Sequence, residues 1–226
     1  MMRTLAAALL LATPLPAQAA TAQPPQAAPV QGADRLVALL VSDESIVPLA
    51  GQLFDAHVGD DANLPAEQRA MFAADPALKQ QVATSVRNEM AGVLRQELPG
   101  LRSRLAVLVG KEMTRQEIAD SLAFFSTATG RKLMSGAYRA VGESGATSEA
   151  EAEKAAMAAV MRNLSPEDYS PLLTFGSSSA AQKFQTLRPR INEVSRRWGE
   201  EVVTRHQARL ERTAERAIAS YRGKTK

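Results

Sequence analysis

Two stretches of this chain carry the same punctuation fifty-one positions apart. Residues 113–133 read MTRQEIADSLAFFSTATGRKL and residues 164–184 read LSPEDYSPLLTFGSSSAAQKF. In the first, Thr114 and Glu117 have the spacing of a capping box, in which the hydroxyl and the carboxylate each satisfy an amide that a helix start leaves open. Ile118, Leu122 and Phe125 then recur at helical spacing, Thr127 is placed to cap a second helix, and Gly130 removes a side chain where two helix axes converge. In the second stretch Ser165, Asp168, Leu173, Phe175, Ser177, Ser178 and Lys183 stand in register with Thr114, Glu117, Leu122, Phe124, Ser126, Thr127 and Lys132. The pattern predicts a degenerate internal duplication, each copy a helical hairpin with a very tight turn.

The rest of the chain is punctuated in the same way. Leu78, Val82, Val86, Met90, Val93 and Leu94 form one apolar stripe, opened by Asp75 as cap and Pro76 at the first helical position, with Pro99 and Gly100 as the expected stop. Ser45 is the expected cap of a segment carrying Ile46, Leu49, Leu53 and Phe54, and a shorter helix is expected at Leu64 and Pro65. A last helix is expected to open at Pro189 and to keep Ile191, Val194, Trp198, Val202, His206, Leu210, Ala214, Ala217 and Tyr221 on one side for about thirty residues. No segment sustains the period-two alternation of a strand, and no Asn-Gly or Asp-Gly turn joins two apolar runs. The expected fold is therefore all-α: a single helical domain over 34–222, with two degenerate hairpin units and a long C-terminal helix. Aromatic residues make up only 4% of the sequence, so its core must be built from Leu, Val, Met and Ala.

The first 33 residues read differently. Residues 1–19, MMRTLAAALLLATPLPAQA, combine a basic start at Arg3, a short apolar run and the small-x-small ending Ala17, Gln18, Ala19, the pattern of a secretory signal peptide. Residues 20–33 are uncharged and rich in Ala, Pro and Gln, and read as a disordered tether. The expected location is the periplasm, with no transmembrane segment in the mature chain.

The string TRQEIADSLAFFSTATGRKL is similar to the signature of exported bacterial proteins grouped as domain of unknown function 2059. That signature runs from a Thr/Ser-x-x-Glu helix start to Phe-aromatic-x-Ser/Thr-Pro-x-Gly-Lys/Arg-Lys. Phe124, Phe125, Thr127, Gly130, Arg131 and Lys132 match it, and Ala128 stands at the proline position. The resemblance covers about twenty residues strongly and the region 78–141 loosely. It implies an α-helical periplasmic protein and brings no established reaction with it.

Composition narrows the chemistry. The chain has no cysteine, which excludes thiolate metal sites, iron–sulfur clusters and a cysteine nucleophile, and its two histidines leave little for an imidazole site. His57 lies near Asp55, Asp60 and Asp61 without the spacing of a calcium loop. Ser126 and Thr127 have no histidine or lysine base placed beside them by sequence, and read as caps, as does the run Ser177, Ser178, Ser179. No catalytic residue, metal site or cofactor is implied.

Two basic features remain. Gly130, Arg131 and Lys132 at a helix start are a candidate anion site. Arg205, Arg209, Arg212 and Arg216 follow one another at spacings of four, three and four, a candidate interaction stripe. Charge is uneven along the chain, −5 over residues 34–100 and +7 over 183–226, so the stripe has two possible complements: the acidic half of the protein itself, which is favoured, or anionic groups of the envelope. The leading expectation is a non-enzymatic interaction module that binds an unknown envelope protein or an anionic envelope surface. A carrier of an apolar ligand held between helices is the alternative, and a periplasmic hydrolase the third. Nucleic acid is disfavoured despite the pI of about 9.4, because an exported protein does not normally meet it. Mass spectrometry of protein recovered from a cell-envelope fraction should give a mature N-terminus at Ala20; retention of Met1 would refute the signal-peptide reading.

Overall fold

A computed structural model of the chain describes residues 32–58, 64–144 and 149–224. The expected signal peptide and nearly all of the expected tether lie outside them. The described residues form nine helices and no strand: α1 Ala33–Leu40, α2 Asp43–Val58, α3 Ala66–Ala74, α4 Pro76–Glu112, α5 Arg115–Phe125, α6 Ala128–Ser144, α7 Glu149–Asn163, α8 Pro166–Gly176 and α9 Ser179–Lys224. The all-α reading holds, with the body starting at Ala33 and closing on a long helix.

The duplication is visible in the backbone. Both hairpins turn through two residues, Ser126–Thr127 and Ser177–Ser178. Ser126 (φ −80°, ψ −12°) and Ser177 (φ −86°, ψ −5°) adopt the same conformation. The Thr127 and Ser178 amides each donate to the carbonyl of the phenylalanine three residues before, both at 2.9 Å. The hydroxyl of each donates to that same carbonyl at 2.6 Å, and accepts from the amide three residues on, Gly130 N at 3.0 Å and Ala181 N at 3.2 Å. The preceding helices also end in register, α4 at Glu112 and α7 at Asn163. Each unit thus comprises three helices, α4-α5-α6 and α7-α8-α9.

The units exchange partners: α4 packs along α9, and α7 packs along α6. The helix before each hairpin therefore rests on the second arm of the other hairpin, an arrangement with approximate two-fold character. Its centre is aromatic. Phe124 stacks on its own counterpart Phe175, ring centroids 4.1 Å apart and planes 1° from parallel, with Phe125 edge-on to both. Phe184 meets Phe125 at 5.9 Å, so four of the six phenylalanines meet at this junction.

Three expected boundaries are moved. The helix opened by Asp75, whose carboxylate accepts from Leu78 N at 3.0 Å, does not stop at Pro99 and Gly100 but runs on to Glu112. Pro99 costs about 3 kcal/mol in a helix interior, yet it and Gly100 sit on the exposed side, and so does Arg95, whose carbonyl loses its helical donor. On the inner side the stripe continues without a break through Leu94, Leu98, Leu101 and Leu105, all buried, and four such side chains at about 1.5–3 kcal/mol each outweigh one proline. The same reasoning applies to α9. It starts at Ser179, behind the Ser178 cap, and carries exposed Pro189 in its interior, with Leu187 buried beneath it. The third correction is Ser45, which lies inside the first turn of α2; Ser42 sits before that helix and accepts from Ser45 N at 3.2 Å.

The stretch Ala33–Ala56 is apolar and long enough by composition to cross a membrane, with mean hydropathy 1.4. In the fold it is broken at Val41–Ser42. α1 lies across α4 and α5, and α2 across α4 and α6.

Gly130 fits its expected role. A Cβ built there would lie 2.3 Å from the Phe124 carbonyl oxygen and 2.7 Å from Phe125 Cα, both backbone atoms that cannot swing aside. Gly92, inside α4, has nothing within 4 Å of the same position. Gly130→Ala should therefore destabilise the protein by about 1–3 kcal/mol through overpacking, whereas Gly92→Ala should stabilise it by about 0.5–1 kcal/mol by removing a mid-helix glycine. Urea unfolding of the two variants checks the contrast; equal effects would refute the close-approach argument.

Candidate functional site

The motif residues are consumed in building the hairpins. Thr114 accepts from Glu117 N at 3.2 Å, and Glu117 returns the bond by accepting from Thr114 N at 2.7 Å. Phe124 and Phe125 are buried in the aromatic junction. The Thr127 hydroxyl is fully engaged with the Phe124 carbonyl and the Gly130 amide, as a cap and not as a nucleophile.

The start of α6 does hold an anion, and the protein supplies it. Asp168, from the second unit, accepts from Lys132 Nζ at 2.6 Å, Thr129 Oγ1 at 2.7 Å, Ser165 Oγ at 2.7 Å and Ser165 N at 3.0 Å. Lys132 above all, with Ser165 and Thr129, holds its carboxyl far below the usual carboxylate range. Arg131 turns away to donate to the Ser126 carbonyl. The anion-binding trio of Gly130, Arg131 and Lys132 therefore has Lys132 paired internally and its glycine amide capped by Thr127. The position of Asp168 was legible as a helix cap. Its second use, as the acid bridging the two units, needs the fold.

The arginine stripe divides in two. Arg205 pairs with Glu97 and Arg209 with Glu89, and Arg209 also donates to Gln96 at 3.2 Å. Both acids lie on α4, within the acidic half of the chain. Arg212 is exposed, and Arg216 turns back onto its own helix, to the Arg212 carbonyl and to Thr213 Oγ1 at 3.0 Å. The pairs continue along the antiparallel α4–α9 seam with Arg104 to Glu201, Arg190 to Glu112 at 2.7 Å, and Tyr221 Oη donating to Asp75 at 3.0 Å. They span about 55 Å of α4 at 1.5 Å per residue.

His206 has a polar role that its position in an apolar stripe hid. It is buried, with Nε2 2.8 Å from Glu97 Oε1. Since an ionised carboxylate only accepts, the ring nitrogen is the donor. Hydrogen bonds from His206 and then from Arg205 hold the Glu97 carboxyl below the usual carboxylate range. Eight residues before His206 on the same helix, the buried Trp198 Nε1 has no hydrogen-bond partner.

Among the described residues no group of three or more acids or histidines could hold a metal ion; the grouping of His57 with Asp60 and Asp61 falls on side chains outside those described. What sequence reasoning missed is a group of exposed apolar side chains on α7 and α8. Among the described residues Met157 and Met161, one turn apart on α7, and Tyr169 and Leu173, one turn apart on α8, are the large apolar side chains that stand open to solvent. Leu173 stands in register with Leu122, and Tyr169 with Ile118, of the first copy's apolar stripe. Compared with family models, with curated proteins and with solved structures, the chain matches none.

The Glu97 cluster generates a pH-dependent expectation. A carboxyl held below its unfolded value of about 4.3 stabilises the fold above that pH, and this contribution is lost as pH falls through the lower folded value. Glu97→Gln should cost about 1–3 kcal/mol at pH 7. The difference between variant and parent should shrink as pH falls from about 5 to about 3. Thermal unfolding across that range checks it; a constant difference would show that Glu97 acts by packing alone.

Proposed function

We propose that this protein is a non-enzymatic helical interaction module of the bacterial periplasm, and that the exposed face of α7 and α8 is its binding surface. The observation that carries the reading is the set Met157, Met161, Tyr169 and Leu173, held open to water on two helices whose neighbours bury residues of the same kind. Such exposure costs solubility and is retained where a partner covers it. Methionine and tyrosine suit that work: Met adapts its shape, and Tyr offers a rigid apolar ring with a polar end.

The ionic groups support the same division of labour. Lys132 pairs with Asp168, Arg205 with Glu97 and Arg209 with Glu89 across the helix seams, so these charges serve to hold the two units together. The leader-like residues 1–19 and the resemblance of 113–133 to the domain of unknown function 2059 signature support export to the periplasm.

The test is chemical crosslinking of the mature chain in intact periplasm, followed by mass spectrometry, for the parent and for Leu173→Glu. The expected outcome is a crosslinked envelope protein that is lost in the variant while Arg212→Glu, on the other exposed feature, leaves it in place. Loss with Arg212→Glu and not with Leu173→Glu would transfer the function to the arginine stripe.

A further inference from the structure

The internal duplication supplies an occupant for the open face. In the first unit, α1 lies across α4 and α5 with Ala33, Leu36 and Val37 buried. Its start is pressed onto α5: Gly32, at φ 105°, sits so close that a Cβ there would lie 3.2 Å from Ile118 Cγ2 and 3.5 Å from Leu122 Cδ1. Fifty-one residues on, Ile118 and Leu122 become Tyr169 and Leu173. Ile118 is 1% exposed and Tyr169 50%; on the preceding helices Ala106 is 2% exposed and its counterpart Met157 59%. Leu122 is half-buried against the core, while Leu173 is 73% exposed. The same positions are covered in one unit and open in the other.

The reason lies in the chain. Before α4 come three helices, and α1 is free to fold back over its unit. Before α7 come only residues 145–148 and then α6, which is already the third helix of the first unit. Nothing in the sequence of the second unit precedes α7 in the way α1 precedes α4.

We infer that the α7–α8 face is a second α1-type groove, and that it takes a short amphipathic helix from a partner protein with apolar side chains at the i, i+3, i+4 and i+7 spacing of Ala33, Leu36, Val37 and Leu40. The register position that caps α1 sets the other end of that helix. In the first unit Arg102 Nε donates to the Val41 carbonyl at 2.7 Å and so satisfies the C-terminal end of α1. The position in register with Arg102 in the second unit is Glu153, a residue type that cannot donate to a terminal carbonyl. An occupant without that donor carries its own positive charge at the negative end of its helix dipole, so it ends in lysine or arginine where α1 ends in Val41, Ser42 and Asp43.

This inference rests on the interaction-module reading and names the partner's chemistry. Its test uses the purified mature chain labelled with ¹³C at the methionine methyls, and a synthetic peptide carrying residues 32–40, GADRLVALL, followed by two lysines. The expected result is saturable binding with shifts at the Met157 and Met161 methyls and not at the buried Met90 and Met113. Leu173→Glu should weaken it at least about tenfold, equivalent to about 1.4 kcal/mol. The same peptide ending in two glutamates should bind more weakly than the lysine form. Circular dichroism and the melting temperature of Leu173→Glu confirm that the variant is folded, which its exposed position predicts. Absence of shifts at Met157 and Met161, or equal binding by the lysine and glutamate peptides, would overturn the inference. A free chain that sediments as a dimer and becomes a monomer in Leu173→Glu would overturn it in favour of a second copy on this face. If the peptide fails while Leu173→Glu still loses its crosslinked envelope protein, the helical occupant is wrong and the interaction module stands. If the peptide binds and no envelope protein is crosslinked, the groove stands and the envelope reading falls.

Discussion

The structure depends on how closely two helical hairpins approach one another at Phe124 and Phe175. These are equivalent residues of the two units, and they stack face to face at 4.1 Å. That contact is reachable because each hairpin turns within two residues, and the turn is that tight because Thr127 and Ser178 close it with their own hydroxyls while Gly130 admits the backbone of the preceding helix. Asp168 then locks the units from the side, serving as a helix cap in its own unit and as the counter-ion of Lys132 in the other. In a chain with so few aromatic side chains, gathering four phenylalanines at one place concentrates the burial that alanine-rich helices do not provide.

From that junction the exchange of partners follows. Because each hairpin meets the other across a near two-fold relation, the helix leading into one is delivered alongside the second arm of the other, α4 to α9 and α7 to α6. The two seams are unequal. The α4–α9 seam is long and charged: Glu89, Glu97 and Glu112 on α4 meet Arg209, Arg205 and Arg190 on α9, while Arg104 meets Glu201 in the opposite sense, and the separation of charge between the two ends of the sequence reflects the majority of these pairs. Each exposed pair contributes little alone. In series, and with Glu97 and His206 partly withdrawn from water, they fix the register of two helices whose apolar stripes by themselves would tolerate sliding.

How much of this was legible in the sequence differs element by element. The caps Asp75, Thr114 and Thr127 and the stripe of α4 were readable because they are local: each depends on residues within one or two turns. The prolines misled because their cost is local and what outweighs it is not; Pro99 stops an isolated helix, and only the burial of Leu98 and Leu101 on the far side keeps α4 going. His206 and Glu97 lie 109 residues apart, and no periodicity relates them. Of the candidate anion trio only Lys132 meets a carboxylate, that of Asp168, and the sequence could not supply this pairing because the acid comes from the other unit. The pairing of Arg205 and Arg209 with α4 was the favoured option, while Arg212 and Arg216 shared their spacing and not their destination: a stripe of arginines follows the surface of a helix, and a neighbouring helix covers only part of it.

The asymmetry between the units is the structural ground of the proposed function. A duplicated pair would bury its grooves equally if each copy carried its own covering segment. Here one copy has α1 and the other has none, and the residues at the uncovered positions did not turn polar. Tyr169 and Leu173 keep their apolar character at 50% and 73% exposure, and Met157, where the covered copy has alanine, is larger than its counterpart. For a groove with no further role, substitution toward Lys, Glu or Gln carries no packing cost and improves solubility. On the function proposed above, these large apolar groups on two successive helices, one turn apart on each, are where burial is completed by something outside the chain.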